Sequence, residues 1–175
     1  MSDATNPPEF PAGPLATVAH PNPEQIAGLI ARIEMLPGRL RSLLIHVPES
    51  RQGLRYRHWT IRQIINHLAD SHTNAIVRFK WALSEDSPTI KLYRQWEWSQ
   101  LPNGDDPALE TIDFLESLHA RWCRLLRKLA RGDFQRTYRQ PETGKVYSLG
   151  EALSVYAWHG DHHSAQIEWV LQNRP

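Results

Sequence analysis

The chain has 175 residues, enough for one domain with a substantial core. Its 20 lysines and arginines nearly cancel 19 aspartates and glutamates, leaving a formal net charge of +1, so no global field draws it to nucleic acid or to a membrane surface. The single cysteine, Cys123, excludes an intrachain disulfide and a thiolate zinc cluster and suits a reducing cytosol. No basic-then-apolar leader opens the chain and no apolar run reaches the length of a membrane span, so a cytoplasmic protein is expected.

Residues 1–22 are rich in proline, which disfavours a helix and suggests an extended arm ahead of a single domain over 23–175. Asn22-Pro23 then reads as a helix start, followed by Ile26, Leu29, Ile30 and Ile33 at helical spacing. Pro37 interrupts this segment before Leu40, Leu43 and Leu44 resume it, and a break or kink is expected near Leu36. In "TIRQIINHLADSHTNAIVRFKWAL", Thr60 with Gln63 forms a capping box and Ile61, Ile64, Ile65, Leu68, Ile76 and Phe79 make the apolar face. Residues 84–106 read as a long connection, of a length that often packs as a lid.

Asp106-Pro107 opens a third amphipathic segment with the stripe Leu109, Ile112, Leu115, Leu118, Trp122, Leu125 and Leu129, and Gly132 closes it. Arg121, Arg124, Arg127 and Arg131 share that segment and read as its solvated side rather than as a nucleic-acid surface. Cys123, between Trp122 and Leu125, reads as buried and inert. "FQRTYRQPETGKVYSL" alternates around Glu142-Thr143-Gly144-Lys145 and predicts a short hairpin. Ser148 with Glu151 then caps a last helix. Four long amphipathic segments and one β excursion argue for an all-α fold: a four-helix bundle with a small β-hairpin before the last helix.

That last helix carries "YAWHGDHHSAQIEWV". His159 and His163 are four apart, so their rings stand one above the other on the edge of the stripe Leu149, Leu153, Tyr156, Ile167, Val170, while His162 points further round. An HxxxH pair on a rigid helix can supply two nitrogen ligands to one divalent ion. The glutamate of the metalloprotease motif is absent. The capped helix at 60–82 offers His67 and His72 as a third ligand. They differ in direction by about 140° at 3.6 residues per turn, so both cannot face one point. His67 is selected because Asp70, three residues on, is placed to accept a ring N–H. The same histidines would also fit a core in which each ring bonds a carbonyl. A cluster of unpartnered imidazoles in a bundle centre is costly, however, and a metal ion removes that cost.

"WTIRQIINHLADSH", "PTIKLY", "LHARW" and "YAWHGDHHSAQI" together resemble the DinB-like superfamily, in particular its YfiT-type branch of metal-dependent hydrolases, over about residues 55–173. The resemblance implies a four-helix bundle, a homodimer, and one zinc or nickel ion (Zn2+ or Ni2+) held by three histidines. Residue by residue those ligands fall on His67, His159 and His163. Three positions depart from the pattern: "RYRHWT" lacks a glycine pair and carries His58, Asn66 stands in place of a histidine, and Asp161 in place of a basic residue.

Three neutral imidazoles would leave an ion its full charge and an open position, suited to activating water against a small-molecule substrate. Asp70 is the carboxylate candidate, as general base or as an orienting group. Tyr156 and Gln166, three residues either side of the HxxxH pair, are candidates to position substrate or, equally, hydrogen-bonded core residues. Relatives within the superfamily imply an alternative, transfer of a small thiol of the bacillithiol or mycothiol type, which a basic residue such as Arg62 or Arg78 at the pocket mouth would favour. A third reading is a non-enzymatic, metal-stabilised stress or interaction protein, which requires a fourth side chain, such as His162 or Asp70, to close the coordination sphere.

Overall fold

The structure is a computed structural model and describes residues 6–174; residues 1–5 of the expected arm lie outside them. Four long helices form the bundle: α1 (Pro23–Leu44), α2 (Ile61–Ser84), α4 (Ala108–Leu126) and α5 (Leu149–Asn173). α1 packs against α4 and α5, and α2 packs against the same two. A short helix α3 (Gln95–Ser99) and a 3-10 turn at Pro102–Asp105 lie in the connection between α2 and α4.

Local chemistry explains the helix starts. Thr60 Oγ1 accepts from the amide of Gln63, whose side chain accepts from the amide of Thr60, and Ser148 and Glu151 repeat this exchange at α5. Asn22 and Gln25 make a third such box at α1. The expected hairpin is present as β3 (Thr137–Arg139) antiparallel to β4 (Val146–Ser148), with Gly144 at φ +67°, a conformation that suits glycine. A second hairpin, β1 (Arg55–Tyr56) with β2 (Trp59–Thr60), leads into α2 and was not anticipated: two-residue strands carry too little alternation to be read.

Two expectations need amending. Of the break or kink expected near Leu36, the break is absent: α1 is one continuous helix with Pro37 inside it. The helix gives up only the N–H of residue 37, and the carbonyl of Ile33, freed by that loss, finds a partner elsewhere: His119 Nδ1 lies 2.7 Å away. The second concerns α4, which ends at Leu126, six residues before Gly132. Its buried face is Ile112, Leu115, His119, Trp122, Cys123 and Leu126, while Leu118, Leu125 and Leu129 are only half-buried.

Residues 6–22 hold neither helix nor strand and lie along α5. Trp158 donates to the carbonyl of Gly13, the amide of Val18 donates to Ser154, and Ser148 donates to the carbonyl of Ala19. α1 and α5 meet closely at Gly160, where a Cβ would come within 2.6 Å of a Leu36 methyl. Beside it Asp161 accepts from Arg32 and Arg39 of α1, a charge pairing in place of the basic residue expected there. Asn66, another of the three departures, bonds the Asp106 carbonyl and the Thr111 hydroxyl and so ties the long connection to α2 and α4.

The core is two apolar clusters. One holds Ile30, Ile33, Phe79, Trp122 and Tyr156; the other holds Leu36, Leu40, Ile64, Leu68, Leu115 and Ile167. Between them, on three of the four long helices, comes the polar layer: His72 on α2, His119 on α4, His159 and His163 on α5, with His67 at its border. Apolar packing above and below this layer holds the rings in place. Among the described residues no helix is long and apolar enough to cross a membrane.

Candidate metal centre

His159 and His163 project from successive turns of α5 with Nε2 atoms 3.1 Å apart, and His67 of α2 brings its Nε2 to 3.1 Å from that of His159. The three ligand nitrogens all lie within 4.8 Å of one another, and no fourth histidine, cysteine, aspartate or glutamate among the described residues joins them. Nitrogens bound tetrahedrally at the usual zinc distance of roughly 2.05 Å would be about 3.3 Å apart, close to these separations.

The protons can be placed from partners. His163 Nδ1 lies 2.7 Å from the Gln166 side-chain oxygen, which only accepts, so Nδ1 carries the hydrogen and Nε2 is bare. The other end of the Gln166 amide donates to His162 Nε2 at 2.8 Å, which fixes its orientation. Bare imidazole nitrogens crowded together repel unless something positive lies between them. The donor set therefore fits a divalent cation.

Burial keeps these rings neutral. It lowers the pKa of His67 to about 4 and drives His159 and His163 well below the ordinary histidine value of 6.5, with their mutual proximity adding to the effect. His119 is likewise lowered to about 4 by burial, against the opposing hydrogen bond to Ile33. Native pKa values below the unfolded 6.5 mean that the unfolded chain binds more protons between pH 6.5 and about 4. Stability of the metal-free chain should thus be full above pH 6.5 and fall steadily as acid is added through that window. Urea midpoints at pH 7, 6, 5 and 4 check this, and a flat profile would contradict it.

The other candidates are distributed unequally. Tyr156 lines a cavity of about 700 Å³ that His159 also borders, and its hydroxyl accepts from Arg78 at 2.8 Å. Gln166 does not line that cavity; its amide is taken up by His162 and His163. Asp70 is not hydrogen-bonded to any of the three histidines and faces a different cavity, of about 480 Å³, with Asn66, Thr73 and Phe114. Residue 70 stands only about 60° round the helix from residue 67, but packing turns that flank toward α4 and away from α5. Burial raises its carboxyl pKa. His162 stacks on Trp158 with ring centroids 4.6 Å apart.

Sequence reasoning set His72 aside as a ligand and passed over His119, whose roles emerge only from their contacts, and it missed Trp59, whose ring stands 5.0 Å from that of His67. Trp96 of α3 packs on Trp59 at 5.8 Å, and Tyr93 lines the cavity of Tyr156, so the long connection does reach the cluster. Of the two arginines considered, Arg62 is engaged by Glu49 and Asp105, whereas Arg78 makes no ion pair among the described residues and borders the cavity.

Comparison with known proteins bears on the family and the fold. The DinB superfamily model matches residues 37–167. A protein of Oceanobacillus iheyensis named "putative metal-dependent hydrolase" is 44% identical over 83% of this chain and 85% of its own length. One of the same name from Halalkalibacterium halodurans is 37% identical over 93% and 95%. Among solved structures, YfiT from Bacillus subtilis, described as a probable metal-dependent hydrolase with an unusual four-helix bundle topology, superposes with a TM-score of 0.89 at 33% identity, covering 93% of this chain and 95% of YfiT. A bundle of this shape with the family pattern running through three of its four long helices and the end of α1 identifies the chain as a member of the DinB superfamily.

Proposed function

We propose that this protein is a cytoplasmic metal-dependent hydrolase of a small-molecule substrate, with one zinc or nickel ion held by His67, His159 and His163. The observation that carries the reading is the convergence of three ring nitrogens, two pairs of them 3.1 Å apart and all within 4.8 Å of one another, with no fourth ligand of suitable type beside them among the described residues. A divalent ion so held supplies Lewis acidity and brings the pKa of a coordinated water to about 7.

The chain's own residues do the rest. Gln166 holds the His163 proton on Nδ1 and keeps that ring turned inward. Trp59 and Trp96 shield the His67 side from water. Tyr156, kept protonated by burial, and Arg78 present a hydroxyl and a guanidinium on the wall of the cavity that reaches His159, where they orient a polar or anionic group of the substrate. Asp70 has no part in this arrangement.

Arg78 also favours the second reading, transfer of an anionic low-molecular-weight thiol. A panel of esters and amides assayed with and without added thiol separates the two: turnover without thiol is expected for hydrolysis, and product that forms only with thiol rejects it. If thiol is required, Arg78→Ala should raise its KM about 10-fold or more, the loss of one charge-assisted hydrogen bond. The homodimer implied by the family resemblance belongs to the same proposal and is tested by sedimentation at micromolar concentration.

A further inference from the structure

Behind His159 lies a second, fully buried pair of rings that this reading does not use. His159 Nδ1 is 3.3 Å from His72 Nε2, His72 Nδ1 is 2.8 Å from His119 Nε2, and His119 Nδ1 is 2.7 Å from the carbonyl oxygen of Ile33. The chain of contacts passes through every long helix: α5, α2, α4 and α1. It ends on a carbonyl left without its helical donor because residue 37 is proline.

That carbonyl can only accept, and this fixes every proton along the line. His119 must carry its hydrogen on Nδ1, and a neutral ring has only one, so its Nε2 accepts from His72. His72 must then carry its hydrogen on Nδ1, and its Nε2 accepts from His159. His159 in turn keeps its hydrogen on Nδ1 and turns a bare Nε2 toward His67 and His163. The reverse polarity would need a carbonyl to donate. The rings facing the pair are Trp122 and Tyr156, and among the described residues no carboxylate is hydrogen-bonded to either histidine.

We infer that His72 and His119 are positioning residues: with the Ile33 carbonyl that Pro37 releases, they lock His159 in the Nδ1–H tautomer and so prepare its Nε2 to bind metal before any metal arrives. The inference rests on the metal reading above for its consequence, but the tautomers themselves are a property of the metal-free chain. Orienting partners behind ligand histidines typically contribute 10- to 100-fold in metal affinity, commonly through a carboxylate or a carbonyl; in this chain two further imidazoles relay a carbonyl's influence.

Ring nitrogen-15 NMR of the unmodified, metal-free protein at pH 7.5 tests the core of this directly. Hydrogen on Nδ1 of His119, His72 and His159 is expected, and hydrogen on Nε2 of any one of them overturns it. Zinc titration then tests the consequence. His119→Leu should bind zinc 10- to 100-fold more weakly than the unmodified chain. His119→Gln, whose amide can donate to Ile33 and accept from His72, should recover most of that loss. Unchanged affinity in the leucine variant, or a glutamine variant no better than leucine, defeats the inference. Failure of the unmodified chain to bind zinc or nickel would defeat the metal reading instead, with the tautomer result standing by itself.

Discussion

His163→Ala is expected to lower bound metal from one equivalent per chain to almost none. The variant keeps two nitrogens and no replacement ligand is near: no other side chain of suitable type among the described residues reaches the cluster. The loss should exceed the 10- to 100-fold that removing an orienting partner costs, because a direct metal bond disappears. His162→Ala, one residue away, should keep its metal, since that ring stacks on Trp158 and accepts from Gln166. Elemental analysis after loading with zinc or nickel and desalting distinguishes the two. A thermal readout follows by linkage. Metal at one hundred times its Kd stabilises the native chain by about 2.7 kcal/mol, roughly 5–10 °C for a domain of this size, and should do so for the unmodified protein and not for His163→Ala. Equal metal content in all three proteins would end the metal reading.

The second large effect is expected at Trp122. Its indole is completely buried, meets His72, Phe79 and Tyr156 edge-on at 5.6–5.8 Å, and supports both the apolar cluster and the imidazole layer. Trp122→Ala should cost about 3–5 kcal/mol from lost burial and the cavity left behind. Among the described residues the indole N–H has no hydrogen-bond partner, and a buried unpaired donor carries a penalty of about 1–3 kcal/mol. Trp122→Phe removes that donor along with part of the ring, so its cost should be much smaller than that of alanine. Denaturant unfolding at pH 7.5 measures both. A phenylalanine variant as unstable as the alanine one would mean that the full indole, its N–H included, is needed at this position, and would contradict the penalty argued for the unpaired donor.

Much of this molecule is written locally. Thr60 with Gln63 and Ser148 with Glu151 mark two helix starts through bonds made within four residues, and those bonds form wherever the chain folds. The four-residue spacing of His159 and His163 likewise sets their rings together on any helix. The wheel shows only that His67 and His72 diverge, and Asp70 is what favours His67 there; in the fold both rings reach His159, at its two different nitrogens. The expectations that missed are those that depended on a neighbour. Counting leucines on α4 selected Leu118, Leu125 and Leu129, yet the face that meets the other helices is turned by one residue and carries His119. The series Leu115, His119, Trp122, Leu126 has the same helical period, and the histidine within it was the available signal.

Pro37 shows the division clearly. In the sequence it is a missing donor and an expected kink; in the fold α1 continues, and the liberated carbonyl of Ile33 becomes the anchor of a histidine 86 residues away. Asp70 is the opposite case, a carboxylate at a plausible spacing that packing turned toward another cavity. By itself, then, the order of residues determined the helices, their caps and the two-histidine spacing, because those follow from backbone period and contacts within a turn. Which face of each helix is buried, and which buried ring receives whose proton, was decided only when four helices packed together, because a hydrogen bond between distant segments has no trace in local sequence until both ends are brought within 3 Å.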